Sequence, residues 1–568
     1  MYIISVIPIS NIPRQDVLTY FYKEYIVLGS LVTAPYGRNK IQCIVVSSVS
    51  VRTLKGDIKK EIYQLKKIES VIHEAVVSPG LIETLFTYAE DFFVPLSKIF
   101  YDIYPKWYWD EIYQTHTEGV SIPQKNIFIE DSLEKRLHSY ENEIQKSNTI
   151  WICVPTVAWV KTYGALLKEK HPSVYLFHSK VTESKQKKQL TEIFSRDEKK
   201  IVISTPFYMG IFLPWAESCI IDQAGSDAYK MSPPFYYDIR MLIARLEIPN
   251  QLRIYGDELI PLTMTQEHTR TMSAPVYTLY TKEKTRHSEV FIHPIMEQDF
   301  EDAVGAHKKI LLLSLHEDAN QKISCNDCNT PLVCSTCQSD LILVTQKGIQ
   351  HFLCRFCVKK TKSNQKCPTC QSWNLHALGI NTQTIKKYIE KKYKGTLPDE
   401  VTISTLTELE ALKKDPPIKA YDAIYILSLD GLMYAGDYAS SEKIYRILKK
   451  IESFGKKMSI QTSFPSPNIL NEFKTQMYDT WLSGEYAKRK KYLFPPYGTT
   501  YTIRAKNKKG LAIVTLISRA VEKKDIRYLS FGTGLKIYIE KKYERAIDLY
   551  LRKKTSPEIT ISKETSLF

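Results

Sequence analysis

Four C-x-x-C pairs constrain this chain more than any other feature. They are Cys325 with Cys328, Cys334 with Cys337, Cys354 with Cys357, and Cys367 with Cys370, all within residues 325–370. Two thiolates at this spacing reach one tetrahedral ion from a tight turn, and two such pairs complete a four-cysteine site. Eight ligands therefore predict two structural zinc ions with no open coordination position. Disulfides would need an oxidising compartment, and nothing in the sequence indicates one. Sequential pairing would give two ribbons side by side. Nested pairing puts Cys325, Cys328, Cys367 and Cys370 on one ion, and Cys334, Cys337, Cys354 and Cys357 on the other. The apolar stretches 341–344 and 351–353 read as a hairpin that would bring the inner pairs together, which favours nesting. The remaining cysteines, Cys43, Cys153 and Cys219, lie in apolar runs and read as buried thiols.

The rest of the chain is long enough to bury several cores. Its 568 residues are 43% hydrophobic and 25% charged, an ordinary globular balance that excludes disorder as the dominant state. No apolar run approaches the ~18 residues of a membrane span. The opening MYIISVIPISNIPRQD lacks the basic and long apolar regions of a secretory signal, so a cytoplasmic setting is expected. With 78 Lys and Arg against 62 Asp and Glu, the net charge is +16, which favours a polyanionic partner, most simply nucleic acid.

Residues 1–46 alternate apolar and polar positions between Gly and Pro punctuation, the pattern of a small barrel-like β module. Residues 81–100 carry apolar residues at helical spacing, and 105–145 read as a linker with some helix. From 149 onward, short apolar strands (149–154, 174–177, 201–204, 218–222) alternate with helical segments. The same rhythm returns at 402–404, 423–427 and 457–461. Fully apolar strands separated by helices predict parallel sheets. The tail is basic, with Lys488-Arg-Lys-Lys491 and Lys506-Asn-Lys-Lys509.

This order of parts resembles the PriA family (primosomal protein N-prime), superfamily 2 helicases that restart stalled replication forks. Gly29-Ser-Leu-Val-Thr-Ala-Pro-Tyr-Gly-Arg38 resembles the family's GSLV-VPFG-R stretch, in the domain that binds the 3′ end of a nascent strand. Tyr88-Ala-Glu-Asp-Phe-Phe-Val-Pro-Leu96 is similar to its A-YY-APLG pattern, and the cysteine block to its zinc insertion, where pairing is nested. Trp151-Ile-Cys-Val-Pro-Thr156, Phe177-His-Ser179, Ile201-Val-Ile-Ser-Thr205, Leu378-Gly-Ile-Asn-Thr382, Gln461-Thr462 and Phe494-Pro-Pro-Tyr-Gly498 resemble further family segments. The resemblance implies an α/β fold of two helicase-like parallel-sheet lobes with a zinc-ribbon insertion, an N-terminal β-rich DNA-binding domain and a C-terminal α+β domain. The expected boundaries are 1–105 for the N-terminal domain, 106–145 for a linker and 146–262 for the first lobe. Residues 263–320 connect to and begin the second lobe, 321–378 form the zinc insertion, 379–481 complete the second lobe, and 482–568 form the C-terminal domain.

The motor motifs are where the likeness breaks. A phosphate-cradling loop needs glycines for backbone approach, a lysine for charge and a hydroxyl for magnesium. The aligned stretch, Ile127-Phe-Ile-Glu-Asp-Ser-Leu-Glu-Lys-Arg136, has no glycine and two glutamates and an aspartate. Asp222-Gln-Ala-Gly225 stands where the family has DEEH, so Asp222 survives as a remnant while the water-activating acid is lost. Phe454 and Lys457 stand at the arginines of QVAGRAGR, and lysine cannot reproduce a bidentate guanidinium. Asp257-Glu258 is a further acid pair, read as a solvated turn. The low glycine count, 21, fits the loss of nucleotide loops.

Four expectations follow. The chain binds forked or single-stranded DNA through Tyr36, Gly37, Arg38 and Lys40, through Arg355, Phe356, Lys359 and Lys360 of the zinc module, and through the basic tail. It holds two structural zinc ions and has no membrane segment. It meets other primosome or replication proteins. It has no catalytic residues of its own, since ATP and magnesium lack their usual ligands. The alternatives are an active ATP-dependent 3′-to-5′ helicase with divergent motifs and a zinc-ribbon interaction scaffold.

Overall fold

The computed structural model describes residues 1–9, 17–51, 65–110, 125–195, 198–231, 237–248, 251–264, 276–281, 292–315, 323–328, 330–335, 341–346, 349–354, 360–377, 380, 382–394, 398–410, 420–433, 438–462, 470, 478–524, 526–531 and 534–566. The first module comprises strands β1 (Tyr2–Pro8), β2 (Leu18–Tyr22), β3 (Leu31–Tyr36), β4 (Asn39–Ser50), β5 (Lys66–Lys67) and β6 (Ser70–His73), in the order β5-β2-β1-β4-β3-β6. One continuous segment supplies both edges. Lys66 and Lys67 pair with β2, and Ser70 to His73 pair with β3, which curls the sheet toward closure around Ile4, Val6, Val32, Ala34 and Val45. Gly29 sits in the left-handed region at φ +80°, and a Cβ there would lie 1.8 Å from the Val77 carbonyl oxygen, so only glycine fits.

The helical stretch predicted over 81–100 is two helices, α1 (Pro79–Phe92) and α2 (Leu96–Ile103). Pro95 disfavours helix at the preceding residue, and α1 ends at Phe93 in the left-handed region, φ 57°. The apolar faces of both helices join one core with Trp151, Phe177, Val202, Phe212 and Ile221 of the next unit, so they brace the first lobe as well as the barrel.

That lobe is a six-stranded parallel sheet. It contains β7 (Lys125–Glu130), α3 (Leu133–Lys146), β8 (Thr149–Cys153), α4 (Val157–Lys168), β9 (Val174–Phe177), α5 (Glu183–Ser195), β10 (Lys200–Ser204), the short α6 (Met209–Phe212), β11 (Ser218–Asp222), α7 (Ile239–Arg245) and β12 (Leu252–Asp257). The strand order is β7-β12-β11-β8-β10-β9. Residues 106–145, expected as a linker, thus supply an edge strand and a helix of the lobe. Strands β10 and β11 are buried at every residue, as expected for strands covered on both faces.

The second lobe is a five-stranded parallel sheet. Its elements are β13 (Thr278–Thr281), α8 (Pro294–Gly305), β14 (Ile310–Ser314), α9 (Thr382–Lys392), β20 (Val401–Thr405), α10 (Leu406–Glu410), β21 (Tyr421–Ile426), α11 (Asp430–Met433), α12 (Ser440–Glu452) and β22 (Gly455–Thr462). Its order is β13-β22-β21-β14-β20. Between β14 and α9 the chain makes the cysteine module, with β15 (Ile323–Cys325), the hairpin β16 (Leu341–Gln346) and β17 (Ile349–Cys354), then β18 (Lys360–Lys362) and β19 (Leu375–Ala377). The C-terminal unit is a four-stranded antiparallel sheet, β24 (Tyr528–Phe531), β25 (Gly534–Glu540), β23 (Gly498–Ala505) and β26 (Ile559–Glu564) in that order, with helices over 508–522 and 544–552. Its Arg552 pairs with Glu90 and Asp91 of α1. Among the described residues, no helix is long and apolar enough to cross a membrane.

Candidate functional site

Ligands of open α/β sheets sit at the carboxyl ends of the strands. In the first lobe those ends bring together Glu130 and Asp131 after β7, Asp222 and Gln223 after β11, and Asp257 and Glu258 after β12. Helix α3 sends Arg136 into this acidic ring. Its Nε donates to Asp222 Oδ1 at 2.9 Å, and its Nη1 lies 3.0 Å from Glu258 Oε1 and donates to the Asp131 carbonyl at 2.6 Å. Asp222 Oδ1 also accepts from the Tyr140 hydroxyl at 2.7 Å, and Oδ2 from the Tyr163 hydroxyl at 2.6 Å. Arg136 and Asp222 are fully buried. Both carboxylate oxygens of Asp222 are thus engaged by protein donors, Oδ1 by two and Oδ2 by one.

The electrostatics agree with the geometry. Burial alone would lower the Arg136 pKa, but Asp222 and Glu258 outweigh it and hold the guanidinium well above its ordinary value. Tyr140 and Tyr163 are pushed up by burial and then by the Asp222 charge, so both stay protonated donors. Burial would raise Glu258, yet Arg136 draws it down, while burial and the neighbouring Glu258 charge push Asp257 up. Asp257 and Glu258 are 1% and 4% exposed, so the pair read as a solvated turn is part of the buried network. Gly256 makes it possible: a Cβ there would lie 1.6 Å from the Tyr140 hydroxyl. Arg136 Nη2, Gln223 Nε2 and Glu258 Oε2 lack protein partners and are places where buried water is expected.

The second lobe closes onto the same loop. Helix α12 carries Lys443, Arg446 and Lys450 at helical spacing. Lys450 Nζ donates to Gln223 Oε1 at 2.6 Å and lies 5.0 Å from the centre of the Trp159 ring. Lys443 pairs with Asp227 at 3.0 Å. The Arg446 guanidinium covers Gly225, where a Cβ would lie 2.3 Å from Nη1. Burial would raise the Asp227 pKa, but Lys230, Lys443 and Arg446 together hold it well below the usual carboxylate range. Phe454 is buried in the second lobe's core, and Lys457 pairs with Asp299 at 2.6 Å.

The outer cysteines converge. The sulfurs of Cys325, Cys328, Cys367 and Cys370 all lie within 4.8 Å of one another. Cys325 to Cys370 and Cys328 to Cys367 are each 3.5 Å apart. That is far beyond a disulfide bond, about 2.05 Å, and near the ~3.8 Å separation of thiolates on tetrahedral zinc. The residues present fit the ion. Two knuckles hold them: Cys325 N donates to Thr330 O at 3.0 Å, and Cys367 N to Ser372 O at 2.8 Å. Of the inner set, Cys334 and Cys354 are buried in one apolar cluster with Leu341 and Phe352. Cys337 and Cys357 lie outside the described residues, as do Arg355, Phe356 and Lys359. Lys360 is exposed on β18.

The β3–β4 hairpin presents Gly37, Arg38 and Lys40 to solvent at its tip, with Tyr36 half-buried behind them. Lys40 pairs with Glu69 at 2.7 Å, an exposed contact of small energetic weight. Exposed Lys66 and Lys67 flank the tip, and Lys66 Nζ donates to the Gly37 carbonyl at 3.4 Å. Residue-by-residue reading of the sequence missed Arg136, Tyr140 and Tyr163, and the α12 cations. The available signal was helical periodicity: Leu133, Arg136, Tyr140 and Ile144 share one buried face of α3.

No protein-family model matches the chain. Similar curated proteins are both called "Replication restart protein PriA". That of Bacillus subtilis is 20% identical over 408 residues, 64% of this chain and 50% of that protein. That of Helicobacter pylori strain J99 is 23% identical over 553 residues, 88% of this chain and 86% of that protein. The match therefore spans half the length of the Bacillus relative and most of the Helicobacter one. A solved helicase Lhr of Mycobacterium smegmatis, bound to ssDNA and AMP-PNP, is 11% identical over 83% of this chain and 61% of that chain. Its TM-score is 0.31, too low to carry an argument.

Proposed function

The chain is a divergent member of the PriA family, and from that premise we propose a helicase-shaped DNA-binding protein of replication restart, recombination or repair. It engages forked or single-stranded DNA in the cytoplasm without ATP-driven unwinding, alongside other primosome proteins. Two structural zinc ions brace its ribbon module.

The observation that carries the absence of a motor is Arg136, whose side chain fills the acidic strand ends and binds Asp222. Phosphoryl transfer depends almost wholly on positioned cations and a bound metal, and here Arg136 and Asp222 are committed to each other. Lys450 and Lys443 then tie the second lobe to the same loop, through Gln223 and Asp227. DNA contact is supported by the net charge of +16 and by the exposed hairpin tip.

Phosphate contact has a measurable signature. Affinity for a forked DNA should fall steeply as salt rises from 50 to 200 mM, at roughly 0.9 log units of affinity per log unit of salt for each phosphate neutralised on duplex. Arg38→Ala should weaken binding across sequences and reduce that slope by about one. Fluorescence anisotropy at several salt concentrations checks both. Binding that is absent, or insensitive to salt, would refute the DNA reading.

A further inference from the structure

We propose that Trp373 is a stacking platform for an unpaired base of single-stranded nucleic acid, with Lys366 beside it as the cationic contact. The proposal rests on the DNA-binding reading above and assigns part of that binding to the outer metal knuckle.

Trp373 is 60% exposed, and it lies outside the module's apolar cluster of Ile323, Leu332, Leu341 and Phe352. Its backbone, by contrast, is held on both sides. Ser372 O accepts from Cys367 N at 2.8 Å, and Asn374 O accepts from Asn326 N at 2.8 Å. The Asn374 side chain bonds Asn326 at 3.1 Å and Asp327 at 2.9 Å, which joins the two knuckles of the metal site. A large rigid aromatic is thus fixed by the most constrained part of the module and turned toward water. Pre-organisation of this kind lowers the entropy cost of binding at one side chain.

The surroundings indicate the occupant. Lys366 Nζ lies 5.4 Å from the indole centre. The approach to the knuckle, residues 359–366, holds Lys359, Lys360, Lys362 and Lys366 and no acid. Lys360, Lys362 and Lys366 are exposed, and so are Thr369, Gln371 and Asn374 in the adjoining stretch of chain. The nearby Asp327 is occupied by Asn374. A protein hot spot gathers apolar neighbours around its aromatic anchor, whereas the cation over this ring is Lys366 and the exposed residues beside it in sequence are polar. A π face beside lysines suits a base and its phosphate, a contact that tolerates any sequence.

The test uses the full-length, zinc-loaded protein and a labelled oligo-dT of about 20 nucleotides. Trp373→Ala should weaken binding about tenfold, while Trp373→Phe, which keeps a π face, should retain most of it. The salt slope should stay unchanged in Trp373→Ala, since no phosphate contact is lost, and Lys366→Ala should reduce it by about one. Unaltered zinc content shows that each variant keeps its fold. If wild-type protein binds no DNA, the proposed function itself fails. If wild type binds and Trp373→Ala matches it, or if Phe and Ala lose affinity equally, the stacking assignment alone is overturned. Unchanged DNA affinity with lost association to another replication protein would overturn it in favour of a protein interface.

Discussion

Replacing Arg136 with alanine is expected to lower the stability of the first lobe by about 3–5 kcal/mol. The guanidinium is the buried countercharge to both Asp222 and Glu258. Its removal leaves two buried carboxylates without their countercharge, and an unpaired buried charge costs far more than the pair was worth. Asp222→Asn in the same background should restore part of the loss. The amide is neutral, and its oxygen can still accept from one of the two tyrosines that bond Asp222. Urea denaturation of the three proteins checks this. A loss below about 1 kcal/mol would mean that Arg136 is a mobile surface cation, and the site would then be open to a phosphate after all.

Zinc removal should have the second large effect. Structural zinc contributes an apparent 10–16 kcal/mol in small zinc domains, and the apolar cluster of this module is small, centred on Ile323, Leu332, Leu341 and Phe352. Chelation, or Cys325→Ser, should therefore unfold the module while the two lobes, which have their own cores, keep their secondary structure. Metal analysis of purified protein should give two zinc ions per chain. One ion or none would refute the eight-ligand assignment, and one ion would confine the metal to a single set of four cysteines.

How much was legible in the sequence depended on whether a segment's partners were local. Strands β8, β10 and β11 were readable because burial on both faces makes their central residues apolar. The outer cysteine site was readable because the spacing within each knuckle is itself the signal. Strand β7 and helix α3 were not. β7 is an edge strand with polar Lys125, Asn126 and Glu130, and the buried face of α3 includes an arginine and a tyrosine in place of a clean apolar stripe. The burial of Asp257 and Glu258 was hidden for a related reason. Their compensating cation comes from far upstream, and the glycine that admits Tyr140 looks like any turn glycine. The sequence carries no phosphate-loop motif, and the buried Arg136 network at these strand ends was not legible in it.

We propose that Arg136 and the α12 contact occupy the strand ends at which a nucleotide would otherwise sit. ATP hydrolysis by the full-length, zinc-loaded protein, with and without forked DNA, tests it most directly. Turnover should stay at background, unchanged by DNA and identical in wild type and Asp222→Asn. DNA-stimulated hydrolysis that disappears in a folded Asp222→Asn variant would contradict it.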